Sequence, residues 1–282
     1  MSDFTAADVA KLRESTGAGL MDCKKALVES KGDSSKAVDI LRARGVASAA
    51  KKASRDAKDG VIAQHVQPGA KVGVLVEINC ETDFVARNET FKAFCDDLAR
   101  KLSSQATVES LEPERVAAVA KIGENIKVAR FVRFEVSGNG MIAAYIHTGA
   151  KVGVLVEVGA KNEASVGLEE FKQLVRDITL QIAAANPTVV SRDQLAADVV
   201  AKEKEIAAEQ VKNKPPQAIA KIVEGKMEKF FGGVCLVDQG FVKRNSEVTV
   251  KEHVAGVAKQ LGDELEIRRF VRFQLGETSA AA

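Results

Sequence analysis

The 282-residue sequence contains no tryptophan, one tyrosine and only four cysteines. No CxxC pair occurs among Cys23, Cys80, Cys95 and Cys235, so the spacing excludes a zinc ribbon and a thioredoxin-like redox pair. No apolar run approaches the roughly 20 residues that span a bilayer, and the first residues lack a charged start followed by an apolar signal core. These absences predict a reduced, cytoplasmic protein that does not contact membranes.

Motifs that hold nucleotides or metals are also missing. The sequence has neither G-x-G-x-x-G nor G-x-x-x-x-G-K-[ST], and His65, His147 and His253 form no i, i+4 metal pair. Its 41 basic and 39 acidic residues leave a net charge of +2, without an overall field that attracts nucleic acid. We expect no catalytic activity, no cofactor, no metal and no direct nucleic-acid binding. A cysteine–histidine nucleophile would need tertiary proximity that the sequence does not show.

An internal duplication is the most informative feature of the sequence. Residues 60–63 (GVIA) recur at 140–143 (GMIA), and residues 69–78 recur at 149–158 with only the last residue changed. The apolar residues in the second of these segments alternate with the period of a half-buried β-strand. Pro68, which is followed by glycine, favours a turn between two such strands. Each copy is therefore predicted to open with a β-hairpin.

Each copy continues with a helix and a third strand. An apolar helical stripe in the first copy recurs 80 residues later in the second, position for position. The third strand, RFVRF, occurs at 130–134 and at 269–273, so the offset grows from 80 to 139 residues and the second copy holds 59 additional residues. Within them, Pro215-Pro216 fits the bend of a helical hairpin. We expect its two antiparallel helices to place Leu195, Val199 and Ile206 opposite Ile219, Ile222 and Val223.

A helical segment precedes the duplication, in residues 1–50. Thr5 is a suitable N-cap for its first helix, and the glycines at 17 and 19 end that helix. Ser34 or Ser35 can cap a third helix, which we expect to stop at Gly45. Three short helices would make a small bundle of the ubiquitin-associated type, too small to be more than a docking module.

The predicted fold class is α+β, with antiparallel sheets in duplicated core repeats. The N-terminal helical docking module and a basic linker cover residues 1–54, and the first core repeat covers residues 55–138. An inserted coiled-coil hairpin at 187–231 splits the second core repeat into residues 139–186 and 232–282.

The two copies differ directly after their second strand. The first copy reads Glu81-Thr-Asp-Phe-Val-Ala-Arg-Asn88, whereas the second has Ala164 in the place of Phe84. If Phe84 filled the core of its repeat, the equivalent residue should also be bulky. Thr82 can cap a short helix that presents Asp83 and Phe84 on its first turn, where an aromatic residue would anchor an interface. Packing of Phe84 under the neighbouring helix is the alternative, and the pattern alone does not decide between them.

Three segments of the chain together resemble the bacterial elongation factor Ts family: LRESTGAGLMDCKKAL at 12–27, NCETDFVAR at 79–87 and VAKIGENI at 119–126. The resemblance extends in order over almost the whole chain. It implies a guanine-nucleotide exchange factor that binds elongation factor Tu in its GDP-bound and nucleotide-free states. It also implies an N-terminal helical module, a duplicated α+β core and an inserted coiled-coil hairpin.

The resemblance further implies which residues contact the partner. In the family a Thr-Asp-Phe-Val motif enters the GTPase and disturbs the helices around its magnesium site, which releases Mg²⁺ and then GDP. The matching residues here are Thr82, Asp83, Phe84 and Val85. Other family contacts carry over to Leu12, Leu20, Met21, Ile126 and His147. The three residues of the N-terminal module could instead pack its small core.

Two features leave alternatives open. The inserted hairpin could pair two molecules, as a homodimer or a two-to-two complex, or it could touch the GTPase. Longer family members continue after the last strand with a further helix that contacts the partner, and here that contact is expected to be absent or replaced.

The alternative function is an adaptor or ribosome-binding protein without exchange activity, which would use the basic run at 42–58.

Overall fold

The computed structural model describes residues 4–277 and confirms the α+β class. Within these residues it contains eleven α-helices and six strands. The first three strands form one three-stranded sheet and the last three form another, each with its second strand in the centre. Contacts divide the described chain into two compact units, one of residues 4–63, 76–131 and 275–277 and one of residues 64–75 and 132–274. None of the helices in the described part combines the length and apolar composition that a membrane crossing requires.

The N-terminal segment folds into three helices: α1 (Ala6–Thr16), α2 (Leu20–Glu29) and α3 (Ser34–Lys52). Thr5 caps α1 as predicted, and it exchanges hydrogen bonds with Asp8 in a reciprocal capping box. Asp33 caps α3 by accepting a hydrogen bond from Lys36 N, so the prediction of a serine cap was wrong by one position. The helices pack around a small apolar cluster of Val9, Leu12, Cys23, Ala26, Leu27 and Ala37.

Gly45 does not end the third helix, contrary to the prediction, because α3 continues to Lys52. Gly45 is buried, and a Cβ atom at this position would lie 3.6 Å from side-chain atoms of Val116 and Ala120. Both of these residues belong to α6 (Glu112–Ile122). The glycine therefore permits close packing of α3 on α6, a role that the local sequence does not distinguish from a helix stop.

The first repeat is built from β1 (Asp59–Val66), β2 (Val72–Cys80), α4 (Asp83–Ala86), α5 (Glu89–Ser103), α6 and β3 (Lys127–Glu135). Strand β2 is buried along its whole length, whereas the alternation of valines predicted one exposed face. The alternate positions include Gly73 and Glu77, and the buried Glu77 carboxylate accepts a hydrogen bond from Arg130 Nε at 2.8 Å. Because the arginine satisfies this charge, the strand can carry a carboxylate and still be buried on both faces.

The second repeat contains β4 (Gly140–Ile146), β5 (Val152–Ala160), α7 (Glu163–Val166), α8 (Glu169–Ala185), α11 (Val250–Leu261) and β6 (Leu265–Gln274). Its three strands pair antiparallel, with β5 in the centre. The predicted stripe of α8 lies in the core, where Phe171 and Ile178 are completely buried. Glu157 takes the place that Glu77 has in the first repeat, and it accepts hydrogen bonds from Arg269 Nε at 2.7 Å and Arg268 Nη1 at 3.1 Å.

The inserted segment contains α9 (Ala197–Glu209) and α10 (Pro216–Val234), which pack against each other, and Pro216 is the first residue of α10. The predicted contact face of α9 was wrong, because Val199 and Ile206 are exposed. The residues one position later, Val200 and Ala207, pack in the cluster with Val223 and Met227. A shift of one residue turns a helix by about 100°, and adjacent valines at 199 and 200 leave the buried face undetermined by sequence.

Candidate protein-docking site

Phe84 lies on the short helix α4, directly after the first repeat's central strand, and its side chain is 81% exposed. Thr82 caps this helix as predicted, because its hydroxyl accepts a hydrogen bond from Val85 N at 3.3 Å. Ala86 is the buried residue of the turn. The free protein therefore presents the aromatic ring to solvent, and the alternative that Phe84 packs in its own core is excluded.

A carboxylate from a distant loop holds the start of α4. Glu124 lies between α6 and β3, and its Oε2 accepts hydrogen bonds from the backbone N–H groups of Glu81 and Thr82, both at 3.0 Å. Its Oε1 accepts from the Thr82 hydroxyl at 2.6 Å. We call these three hydrogen bonds the Glu124 clamp. They satisfy donors at a helix start, where backbone N–H groups have no partner within the helix.

The loop that carries the clamp also binds the linker that follows α3. Asn125 is buried, and its backbone N–H donates to Glu81 Oε1 at 2.6 Å while its Nδ2 donates to Arg55 O at 2.8 Å. Arg55 Nη1 forms an ion pair with Glu81 at 3.4 Å. The linker, the start of α4 and the loop before β3 therefore form one hydrogen-bonded cluster.

The other residues around Phe84 complete a rigid turn. Asp83 lies on the first turn of α4, and its carboxylate pairs with Arg87 Nη2 at 2.8 Å. Cys80 Sγ donates to Thr82 O at 3.2 Å, which ties the turn to the end of β2. Val85 is only partly exposed. The turn thus combines an exposed ring and a carboxylate on a backbone that is fixed from both sides.

The structure separates the three candidate contacts of the N-terminal helices. Leu20 and Met21 lie on the first turn of α2 and are 50% and 61% exposed. Leu12 is buried in the apolar cluster of the bundle. In the free protein Leu12 therefore stabilises the bundle, and Leu20 and Met21 form an exposed apolar surface.

The remaining two candidates lie in different environments. Ile126 is completely buried, so in the free protein it is a core residue. His147 is exposed in the turn between β4 and β5, and its Nδ1 lies 3.0 Å from Tyr145 Oη. Tyr145 and His147 border a cavity of about 270 Å³ whose other lining residues include Val152, Leu180, Ala183, Phe241 and Val242. That cavity gives the second repeat an apolar recess next to a histidine.

The four cysteines lie in environments that disfavour a nucleophilic thiolate. All four cysteines are free and buried, and burial raises the pKa of Cys80 to about 12. A thiol with such a pKa is almost entirely protonated at neutral pH and reacts slowly. Within residues 4–277, no cluster of three or more His, Cys, Asp and Glu side chains could hold a metal ion.

Sequence reasoning did not single out Glu124. Its carboxylate binds a residue 42 positions earlier in the chain, whereas a capping box is recognised from residues three positions apart. The only signal was its place in the VAKIGENI segment at 119–126, which resembled the family without indicating a role for the carboxylate.

The described chain is an α+β protein with apolar side chains exposed on the first turns of α2 and α4. The family model for elongation factor TS matches residues 81–277. Similar proteins named elongation factor Ts occur in Nostoc sp., with 43% identity over 98% of this chain and 94% of the relative, and in Symbiobacterium thermophilum, with 46% identity over 98% and 93%. The Clostridioides difficile protein of that name is 44% identical over 98% and 94%. The chain therefore belongs to the elongation factor Ts family, which confirms the resemblance of the three sequence segments.

Proposed function

We propose that this chain is a guanine-nucleotide exchange factor that binds elongation factor Tu–GDP, promotes release of Mg²⁺ and GDP, and binds the nucleotide-free GTPase during translation elongation. The observation that carries the proposal is the exposed ring of Phe84 on a capped and clamped turn, in a chain of the elongation factor Ts family. The protein acts by binding and performs no covalent chemistry of its own.

In this proposal Phe84 enters the GTPase beside the helices that hold its Mg²⁺ ion. Because the ring is 81% exposed in the free protein, its insertion disrupts no core packing on this side of the interface. Thr82 and Val85 keep the turn ordered through the N-cap hydrogen bond. A pre-ordered turn loses less conformational entropy on docking than a flexible loop would, so more of the binding energy remains to displace the partner's helices.

The magnitude of the effect requires more than one aromatic side chain. A GTPase that binds GDP with nanomolar affinity and an association rate constant of about 10⁶ M⁻¹ s⁻¹ releases it at about 10⁻³ s⁻¹. Acceleration by about 10⁴-fold corresponds to roughly 5.5 kcal/mol. Burial of one phenylalanine side chain supplies about 1.5–3 kcal/mol. Other contact surfaces must therefore supply the rest of the roughly 5.5 kcal/mol.

We assign the remainder to the N-terminal module and the second repeat. Leu20 and Met21 form the contact of the module, which we interpret as a docking bundle of the ubiquitin-associated type. His147, beside the apolar recess of the second repeat, forms another contact. Leu12 and Ile126, which the family resemblance also implies as contacts, are buried in the free protein. The inserted hairpin could pair two chains, which sedimentation with and without residues 187–231 would test.

Release of a fluorescent GDP analogue from elongation factor Tu tests the proposal. Catalytic amounts of the protein should accelerate release in the presence of excess unlabelled nucleotide. Linkage further requires that GDP weaken binding of the protein to the GTPase by the same factor by which the protein weakens binding of GDP. Titrations of the protein against the GDP-bound and the nucleotide-free GTPase measure the factor by which GDP weakens binding of the protein. Unchanged release would refute the exchange function.

The adaptor alternative depends on the basic run at 42–58, and its cations are partly neutralised. Arg44 Nη2 pairs with Glu29 at 2.6 Å, and Arg55 Nη1 pairs with Glu81 at 3.4 Å. An adaptor for RNA or ribosomes would bind with a steep salt dependence and would ignore the GDP-bound GTPase. Salt-dependent ribosome binding without accelerated GDP release would favour this alternative.

A further inference from the structure

The helix that carries Phe84 is too short to maintain its own shape. Helix α4 has only four residues, whereas isolated helices shorter than about 12 residues are marginal in water. Phe84 itself adds little packing, since its side chain is 81% exposed. The direction of the ring therefore depends on the groups that bind the backbone at the start of the helix.

The Glu124 clamp supplies those groups from a loop that is fixed on both sides. Gly123 ends α6 in the left-handed conformation at φ +91°, and the buried Asn125 donates to Arg55 O at 2.8 Å. The carboxylate between them accepts two backbone N–H groups and one hydroxyl at distances of 2.6–3.0 Å. Because surrounding hydrogen bonds fix the loop, the Glu124 carboxylate is held close to one geometry.

In the second repeat, too, a carboxylate accepts hydrogen bonds at the corresponding helix start, which carries no aromatic residue. Asp263 lies between α11 and β6, the place that corresponds to Glu124, and both of its carboxylate oxygens lie 3.2 Å from the Asn162 N–H that they accept. Asn162 is the N-cap of α7, as Thr82 is of α4. The residue at the position of Phe84 is Ala164. The duplicated chain has therefore kept a carboxylate clamp in both copies and a presented ring in one.

We infer that Glu124 is a positioning residue for nucleotide release. It fixes the start of α4 and thereby the direction in which the Phe84 side chain projects from the surface. The inference rests on the proposed exchange function and adds a residue that acts through Phe84. Without the clamp, the single turn of α4 frays, and the ring spends most of its time in orientations that do not enter the GTPase.

Three substitutions separate positioning from a general loss of stability. Glu124→Ala removes both acceptor oxygens and with them all three hydrogen bonds of the clamp. Glu124→Gln keeps a carbonyl oxygen for the N–H groups of Glu81 and Thr82, and its amide can donate to the Thr82 hydroxyl oxygen. Asp263→Ala removes the matching clamp in the second repeat, where no aromatic residue is presented. Circular dichroism should show folded protein for all three variants, with similar melting temperatures for the two alanine variants.

Fluorescent-GDP release from elongation factor Tu then gives the decisive comparison. Glu124→Ala should stimulate release about tenfold less than the wild type, because small misplacements of a contact group are costly. Glu124→Gln should stay within about threefold, since neutral hydrogen bonds replace charged ones. Asp263→Ala should match the wild type. In a chain that also carries Phe84→Ala, Glu124→Ala should cause no further loss, because both changes act on one element.

Other outcomes would overturn the inference. Normal stimulation by Glu124→Ala would show that the clamp does not position the ring. Equal losses from Glu124→Ala and Asp263→Ala would indicate a general effect on stability, and so would additive losses in the chain with Phe84→Ala. If the wild-type protein itself failed to stimulate GDP release, the proposed function would be wrong, which this experiment distinguishes from failure of the positioning role.

Discussion

Leu20 and Met21 provide the clearest quantitative test of the proposed N-terminal contact. Their side chains are 50% and 61% exposed in the free protein, so replacement of both by alanine removes little of the protein's own packing. Complete burial of one such side chain contributes about 1.5–3 kcal/mol. Burial of the exposed half of each should therefore contribute about 1.5–3 kcal/mol for the pair, or roughly 10- to 150-fold in affinity.

Isothermal titration calorimetry against nucleotide-free elongation factor Tu measures this difference. The double variant Leu20→Ala/Met21→Ala should bind more weakly by that factor and should unfold at nearly the wild-type temperature. Val46→Ala is the matched control, because Val46 is 54% exposed on α3 of the same module but was not predicted to contact the partner. Wild-type affinity in the double variant, or an equal loss in the control, would refute the reasoning.

Two further predictions concern buried titratable groups. Burial acts to raise the pKa of Glu157, but hydrogen bonds from Arg269, Arg268 and Ser137 lower it below its ordinary value of 4.5. This stabilisation is present above the ordinary pKa and is lost as the pH falls through the lower folded value. Urea unfolding should therefore show a steeper loss of stability below about pH 4.5 in the wild type than in Glu157→Gln. Burial raises the pKa of Cys80 to about 12, so its thiol should resist iodoacetamide at pH 7 in the native protein and react after unfolding. Mass spectrometry measures the labelling. Rapid labelling of Cys80 in the native protein would contradict its buried environment.

The sequence predicted the features that depend on local pattern or on comparison of the two copies. Hairpins, third strands and the proline bend of the inserted segment are local, and Thr82 is recognisable as an N-cap from its residue type and position. The contrast between Phe84 and Ala164 raised exposure as one of two possibilities. The structure shows that the ring is exposed. The sequence pattern could not show this, because burial depends on all the residues that surround the ring in the fold.

The features that the sequence did not predict depend on tertiary contacts. Gly45 resembled a helix stop, but it permits packing of α3 against Val116 and Ala120. Adjacent valines in α9 gave two equally apolar faces, and only contact with α10 identifies the buried one. Glu124 binds residues more than 40 positions away, so no local pattern marks it. In each case the deciding partner is distant in the chain.

In the proposed function the exposed ring of Phe84 drives nucleotide release. The most direct measurement compares wild type and Phe84→Ala in fluorescent-GDP release from elongation factor Tu, with thermal unfolding as the control for folding. Because Phe84 is 81% exposed, the variant should unfold at the wild-type temperature. It should stimulate release at least about tenfold less than the wild type, in line with the energy of burying one phenylalanine. Wild-type stimulation by a folded Phe84→Ala protein would show that the ring does not drive nucleotide release.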